Sequence, residues 1–491
     1  MDRLIYGGLV MQFKNAAAVA VLSSVLIQNP VQAAEEILVE NNKNVDMVVS
    51  IYNNNLGFVR DTRNVALGAG LNSIAFEGVA SQIKAETAVL TGSGVNVLEQ
   101  NYDYDLLTPN NILEQFVGKE VKTVIQNPTT GENIFDKAVV LNNNYGAPIL
   151  RFSYGVEANF PGRVVYDKVP SSLRVKPTLV VNLNNADAGS KNLELAYLTN
   201  GISWKADYIA EIKSDEELGL NTWITLNNET GADYENATVQ LVSGSVNQVY
   251  DAVNTVRPML QMKMARGAMM DGAAVMETGS VERASLSDYY LYTLPHKTTI
   301  KDKQSKQVSM MNLENVKYEK EYVMQSPLYI SVGARSSDFE KSNPNVVFKL
   351  KNEKSANLGE PLPGGVVRFY EKDARQNLQF IGESRIEQSA VGEKIDLTIG
   401  KAFDVFAKGK IVNIRSISEN ISEFDVEVAF TNASEKVKKI VFEQNIYDKW
   451  DLLKESMKSE KKNSSTLKWR FDLPKNEKKV LTYTVRVTRN K

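Results

Sequence analysis

One histidine, His296, and no cysteine leave the 491-residue chain short of the side chains on which most catalysis depends. Without a thiol there is no cysteine nucleophile, no redox pair and no thiolate-held zinc or iron–sulfur centre. A serine triad would have to use the one imidazole, and no Gly-x-Ser-x-Gly elbow exists to pair with it. The nearest serines, Ser285 and Ser287, border a stretch rich in Met, Ala and Gly, a poor platform for a nucleophile. His296 follows Tyr292-Thr293-Leu294-Pro295 and reads as a surface or hydrogen-bonded residue at a strand end. No P-loop, dinucleotide fingerprint, His-Glu-x-x-His or calcium-loop pattern occurs, so the sequence implies no cofactor.

Three groups of residues keep some chemistry open. Met259, Met262 and Met264 have the close spacing with which thioethers hold Cu(I). Arg257, Lys263 and Arg266 place positive charge beside them, and a flexible Ala/Met linker is the favoured reading. Paired carboxylates could hydrolyse a glycosidic bond, which needs two acids about 5–10 Å apart across a cleft. Most acids here, such as Asp207 and Glu211, fall instead on polar strand faces or in turns. Trp204, Tyr208, Tyr289, Tyr290 and Tyr292 could stack on sugars as a ligand platform, but they sit where core residues belong, and core packing is favoured.

The elements that must position these groups are strands. Trp204, Ala206, Tyr208, Ala210 and Ile212 alternate with Lys205, Asp207 and Glu211. Phe424, Val426, Val428 and Phe430 do the same, as do Leu481, Tyr483, Val485 and Val487. A period of two puts one face in a core and one in water. Asn53-Asn54-Asn55-Leu56-Gly57, Asn127-Pro128-Thr129-Thr130-Gly131 and Asn142-Asn143-Asn144-Tyr145-Gly146 supply turns between such runs. One short helix is expected near 109–117, capped by Thr108, opened by Pro109 and ended by Gly118, as a plug over a sheet. Trp223 to Leu241 and Phe424 to Phe442 look alike, each a strand, an Asn-containing polar turn and a strand, which hints at duplicated sandwiches.

These patterns predict an all-β protein of tandem antiparallel β-sandwich-like domains. Residues 1–33 read as an export signal, with Lys14, the apolar run Ala16 to Ile27 and a small-residue site at Val31-Gln32-Ala33; the start lies at Met1 or Met11. An N-terminal β domain is expected over 34–190 and a central one over 191–404, carrying a mobile loop at 254–287. A C-terminal immunoglobulin-like sandwich is expected over 405–491, its middle filled by tryptophans. The apolar run is too short to span a bilayer and no second one follows, so no transmembrane span is expected after cleavage, and the product would be periplasmic or extracellular. Balanced charge, 57 basic against 59 acidic residues, argues against nucleic acid as a partner. Lys454, Lys458, Lys461 and Lys462, interrupted by Glu455 and Glu460, read as a solvated loop.

A series of motifs carries a family likeness. Ile202-Ser203-Trp204-Lys205-Ala206-Asp207-Tyr208, Trp223-Ile224-Thr225-Leu226-Asn227-Asn228 and Val239-Gln240-Leu241-Val242-Ser243-Gly244 come first. Tyr290-Leu291-Tyr292-Thr293-Leu294-Pro295, Leu362-Pro363-Gly364-Gly365-Val366-Val367-Arg368-Phe369-Tyr370 and Gly400-Lys401-Ala402-Phe403-Asp404-Val405 follow in order. From about Leu193 onward the chain resembles the bacterial domain-of-unknown-function family related to the mucoidy inhibitor A proteins, in its exported members. The resemblance implies a β-rich envelope protein linked to surface polysaccharide. It supplies no catalytic residues, and the helical, coiled-coil-like insert of many related proteins is missing here. Sequence and resemblance together lead to an exported, non-enzymatic binding or structural component of the envelope, its partner a polysaccharide or another envelope protein. The alternative is a carbohydrate-active hydrolase using paired Asp/Glu carboxylates.

Overall fold

The computed structural model describes residues 36–41, 44–144, 147–170, 172–244, 246–248, 282–286 and 289–489. The chain is all-β, built from several packed sheets, with one α-helix among the described residues. The expected export signal and Met259, Met262 and Met264 lie outside the described residues.

A four-stranded sheet (Glu36–Val39, Gly70–Glu77, Thr178–Asn185, Val95–Asp103) and an eight-stranded sheet built on Asn44–Tyr52, Leu56–Leu67 and Gly189–Thr199 share one core. Ile74, Phe76, Leu179 and Val181 from the first sheet are fully buried with Val49, Ile51, Val59 and Leu195 from the second. Their alternation with polar neighbours is what sets each strand's register, because a one-residue slip would turn this face to water. The two sheets are also tied by the buried Arg63, ion-paired with Asp61 on its own strand. Arg63, 0% exposed, donates to Asp61 at 2.6 Å and to the backbone carbonyls of Val39 at 2.6 Å and Glu77 at 2.9 Å.

A five-stranded sheet inserted between Val95–Asp103 and Thr178–Asn185 spans Glu120 to Val165. Its small core of Val121, Ala138, Val140, Leu150 and Phe152 is closed by Leu113 of the helix Pro109–Gln115. The Thr108 hydroxyl accepts from the Asn111 amide at 3.1 Å, so cap and plug stand where the sequence places them.

The expected division at 190/191 falls inside the strand Gly189–Thr199, and sheet pairing crosses it: Tyr234–Ser243 runs parallel to Asn44–Tyr52. The reason is register, since neither strand set can bury its apolar face without the other. The last residues of the expected 254–287 loop are likewise a strand, Glu282–Leu286, paired with Tyr289–Thr293.

The ten-stranded sheet is organised by one strand of 22 residues, Gln304–Gln325. It pairs in succession with Glu217–Asn228, Asn345–Lys351 and Lys438–Asn445. The first part of this sheet curls until Leu378–Ile386 lies against Lys394–Lys401. A Cβ on Gly382, at φ +147°, would stand 2.3 Å from the Ile399 carbonyl oxygen, so this approach needs glycine. Tyr208, Phe348, Val367, Phe369 and Leu397 fill the space inside.

The far end of the long strand joins the C-terminal sandwich. There Lys438–Asn445 and Thr466–Leu473 pack against a five-stranded sheet that includes Val405–Ser418, Ile421–Asn432 and Lys478–Thr488. Trp469, 0% exposed, fills the middle between Phe442 and Tyr483, with ring centroids at 5.8 and 4.7 Å. Trp450 is half-buried at the rim, its indole N–H donating to the Ser464 carbonyl at 2.9 Å. The basic stretch expected as a loop mostly forms strands: Lys454 lies on Lys449–Glu455, and Lys461 and Lys462 on Ser459–Asn463. These are sheet edges, where charged side chains discourage pairing with foreign strands.

Candidate functional site

A cleft of about 990 Å³ opens where the curled sheet meets the C-terminal sandwich, against the middle of the long strand, and a recess of about 630 Å³ adjoins it past Lys436. Its floor is Lys317 to Tyr322; one wall carries Ser214 to Glu217 with Lys349 and Lys351, the other Lys436 to Lys439 with Arg470.

Both rims are rigid for local reasons. The Ser214 hydroxyl accepts from the Glu217 amide at 3.1 Å, and the Ser214 carbonyl accepts from the Tyr318 hydroxyl at 2.8 Å, which fixes Asp215 at the tip. On the other rim the buried Asn432 amide donates to the Lys436 carbonyl at 2.8 Å.

The charges are largely prearranged. Glu321, 4% exposed, lies between Lys349 at 3.2 Å and Arg470 at 3.3 Å, and Lys349 reaches on to Asp396 at 3.2 Å. Burial pulls the Lys349 ammonium down, but its bonds to Asp396 and Glu321 outweigh that and leave it above the ordinary range. Across the cleft Lys436 contacts both Asp215 oxygens, at 3.1 and 2.7 Å. That bond holds Asp215 below the usual carboxylate range, with Lys320 and Lys438 adding to the effect.

Several acids outside the cleft are tied to basic neighbours. Burial raises Asp207, but hydrogen bonds from Arg368 at 2.9 Å and Thr225 at 2.9 Å bring it below its ordinary value. Glu423 is held low by Arg486 and Arg415, and Asp425 by Arg415. A glycosidic general acid must instead stay protonated at working pH. Asp61 is pushed up by burial, yet it is 2% exposed within the first core and bonded to Arg63.

Trp204, Tyr208 and Tyr292 present no stacking face to solvent: they are 3%, 0% and 0% exposed. Their polar atoms are used inside, Trp204 donating to the Val242 carbonyl at 3.3 Å, Tyr208 to Pro363 at 2.6 Å and Tyr292 to Pro361 at 3.3 Å. These three rings are core packing, the favoured reading, because inward positions on a period-two strand are the ones the sheets bury. Tyr289 and Tyr290 are half-buried. His296 is exposed in the turn after Tyr289–Thr293; Ser285 lies on the strand Glu282–Leu286, and Ser287 is outside the described residues. Among the described residues no cluster of His, Asp or Glu could hold a metal ion, and no helix is long and apolar enough to cross a membrane.

Exposed aromatics do occur elsewhere. Tyr329 and Tyr447, 54% and 62% exposed, stand with ring centroids 5.0 Å apart at one end of the C-terminal sandwich. Neither they nor Asp215, Lys320, Lys436 and Lys438 stand out in the sequence, because the groups come together only through pairings distant in the chain. The one local signal is the Asn432-Ala433-Ser434 turn, which announces a fixed corner just before Lys436. No protein-family model matches the chain, and a search of curated proteins returns no match.

Proposed function

We propose that this is an exported, non-enzymatic protein of the bacterial cell envelope that binds surface polysaccharide. The observation that carries the reading is the cleft beside Lys317 to Tyr322, where charged side chains from separate strands are preset in ionised pairs. Such groups are ready to exchange hydrogen bonds with a polar polymer, and Asp215, held low by Lys436, is poorly suited to the protonated acid that glycosidic cleavage requires. The Tyr329–Tyr447 pair adds aromatic faces of the kind sugars stack on. The leader-like start of the chain supports export. The motif series from Ile202 to Val405 supports kinship with the family related to the mucoidy inhibitor A proteins.

The test is retention of the protein on immobilised envelope polysaccharide, with reducing ends assayed in parallel. Retention without new reducing ends is expected. Turnover that disappears when one cleft carboxylate is replaced would establish the hydrolase instead.

A further inference from the structure

Lys320, Lys436 and Lys438 line the same cleft as Asp215. Lys436 bonds Asp215 directly, and Lys320 and Lys438 lie close enough to act on it electrostatically. The Lys438 ammonium donates to the Tyr322 hydroxyl at 2.9 Å and sits 4.9 Å from that ring's centroid; Lys320 lies 5.5 Å from the Phe348 ring centroid. Neither has a carboxylate within ion-pair distance among the described residues. Two cations of the cleft lining are therefore placed against aromatic rings rather than carboxylates, while Lys436 beside them is paired with Asp215 and also feels Glu371.

We propose that Lys320, Lys436 and Lys438 form a carboxylate-binding site occupied in the free protein by Asp215, and that its ligand is the carboxylate of an acidic, uronate-bearing polysaccharide. The chemistry is read from the occupant. Asp215 and Lys436 are both largely exposed, at 68% and 66%, so their pairing is weak and open to exchange. An incoming carboxylate displaces Asp215 and gains the two lysines that Asp215 does not reach. The inference rests on the polysaccharide reading and specifies which sugars satisfy it.

The test measures binding of the full chain to polygalacturonate, dextran and poly-glutamate at low salt. Polygalacturonate alone should bind well, and Asp215→Asn should tighten it about twofold to fivefold by removing the internal competitor. Lys320→Ala with Lys438→Ala should weaken it at least about tenfold, since a charge-assisted bond is lost at each lysine. The paired arginine variant, Lys320→Arg with Lys438→Arg, should retain binding and so separates loss of charge from loss of fold. Equal binding of dextran and polygalacturonate, indifferent to Asp215→Asn, would overturn the carboxylate site while leaving polysaccharide binding intact. Binding of poly-glutamate alone would overturn the uronate ligand and the polysaccharide reading together.

Discussion

Asn228 and Asn432 make the same hydrogen bonds at equivalent corners of two different sheet pairs. Each ends a strand, and each side-chain oxygen accepts from the backbone amide two residues on, at 3.1 Å in Thr230 and 3.0 Å in Ser434. The hydroxyls of those residues donate to the same oxygens, at 2.8 and 2.7 Å. Each amide nitrogen then donates to the carbonyl four residues on and to a distant strand, Ile300 at 3.3 Å in one case and Leu473 at 3.1 Å in the other. Asn352 closes a third corner in a related way, reaching the Glu360 and Ala390 carbonyls. The likeness of the two segments in sequence is thus a likeness of their corners in structure, and the second corner fixes one rim of the cleft.

Asn432→Ala should destabilise the protein by about 2–3 kcal/mol, because the carbonyls it serves are left buried without a donor. The urea midpoint measures this. Lys436 would lose its fixed position in the same variant, so polygalacturonate affinity should fall as well; an unchanged midpoint would mean the corner is held by other bonds.

Strands and the capped helix were legible from alternation and turn chemistry, as at Trp204 to Ile212 and Thr108-Pro109. The sheets themselves were not, because pairing partners such as Tyr234–Ser243 and Asn44–Tyr52 are far apart in sequence. The strand Gln304–Gln325 hides for a different reason. Its alternation is broken by register shifts opposite Glu217–Asn228, where Met310 and Met311 are both buried and Glu314 and Asn315 both exposed, and it resumes at Val316 with Lys317 and Glu319 on the outward positions. The cleft floor lies in that resumed stretch, where outward charged residues look like those of any half-buried strand.

Arg63→Leu should cost about 3–5 kcal/mol, since Asp61 would remain buried without its cation. The double replacement Arg63→Leu with Asp61→Leu should recover most of that loss, because no lone charge remains. Thermal or urea unfolding of the three proteins distinguishes this from two additive losses.

Acid should unfold the protein partly through the ladder on the C-terminal sheet. Arg415 and Arg486 hold Glu423 and Asp425 below their unfolded values, so the unfolded chain takes up protons first as pH falls. Their stabilisation is complete above the ordinary carboxylate range and is lost as pH drops toward the lowered folded values. Arg415→Met should flatten stability against pH in that acidic window, measured by urea midpoints across it. Asp61, raised by burial, works in the opposite direction, its folded form gaining relative stability on protonation.

Trp204→Ala should destabilise by about 3–5 kcal/mol as a core cavity, and Tyr208→Phe by about 1–2 kcal/mol through the unpaired Pro363 carbonyl. Once the variants are folded, neither should alter polysaccharide affinity. A selective loss of binding with unchanged stability would place the ligand at these rings after all.

Polysaccharide recognition without turnover is tested most directly by one assay: the full chain held with uronate-rich envelope polysaccharide, bound protein and reducing ends measured together. Saturable retention, lost on replacing Lys320 and Lys438, with reducing ends at the level of the protein-free control, is the expected result. Reducing ends that rise with protein concentration and vanish on Glu321→Gln would contradict it.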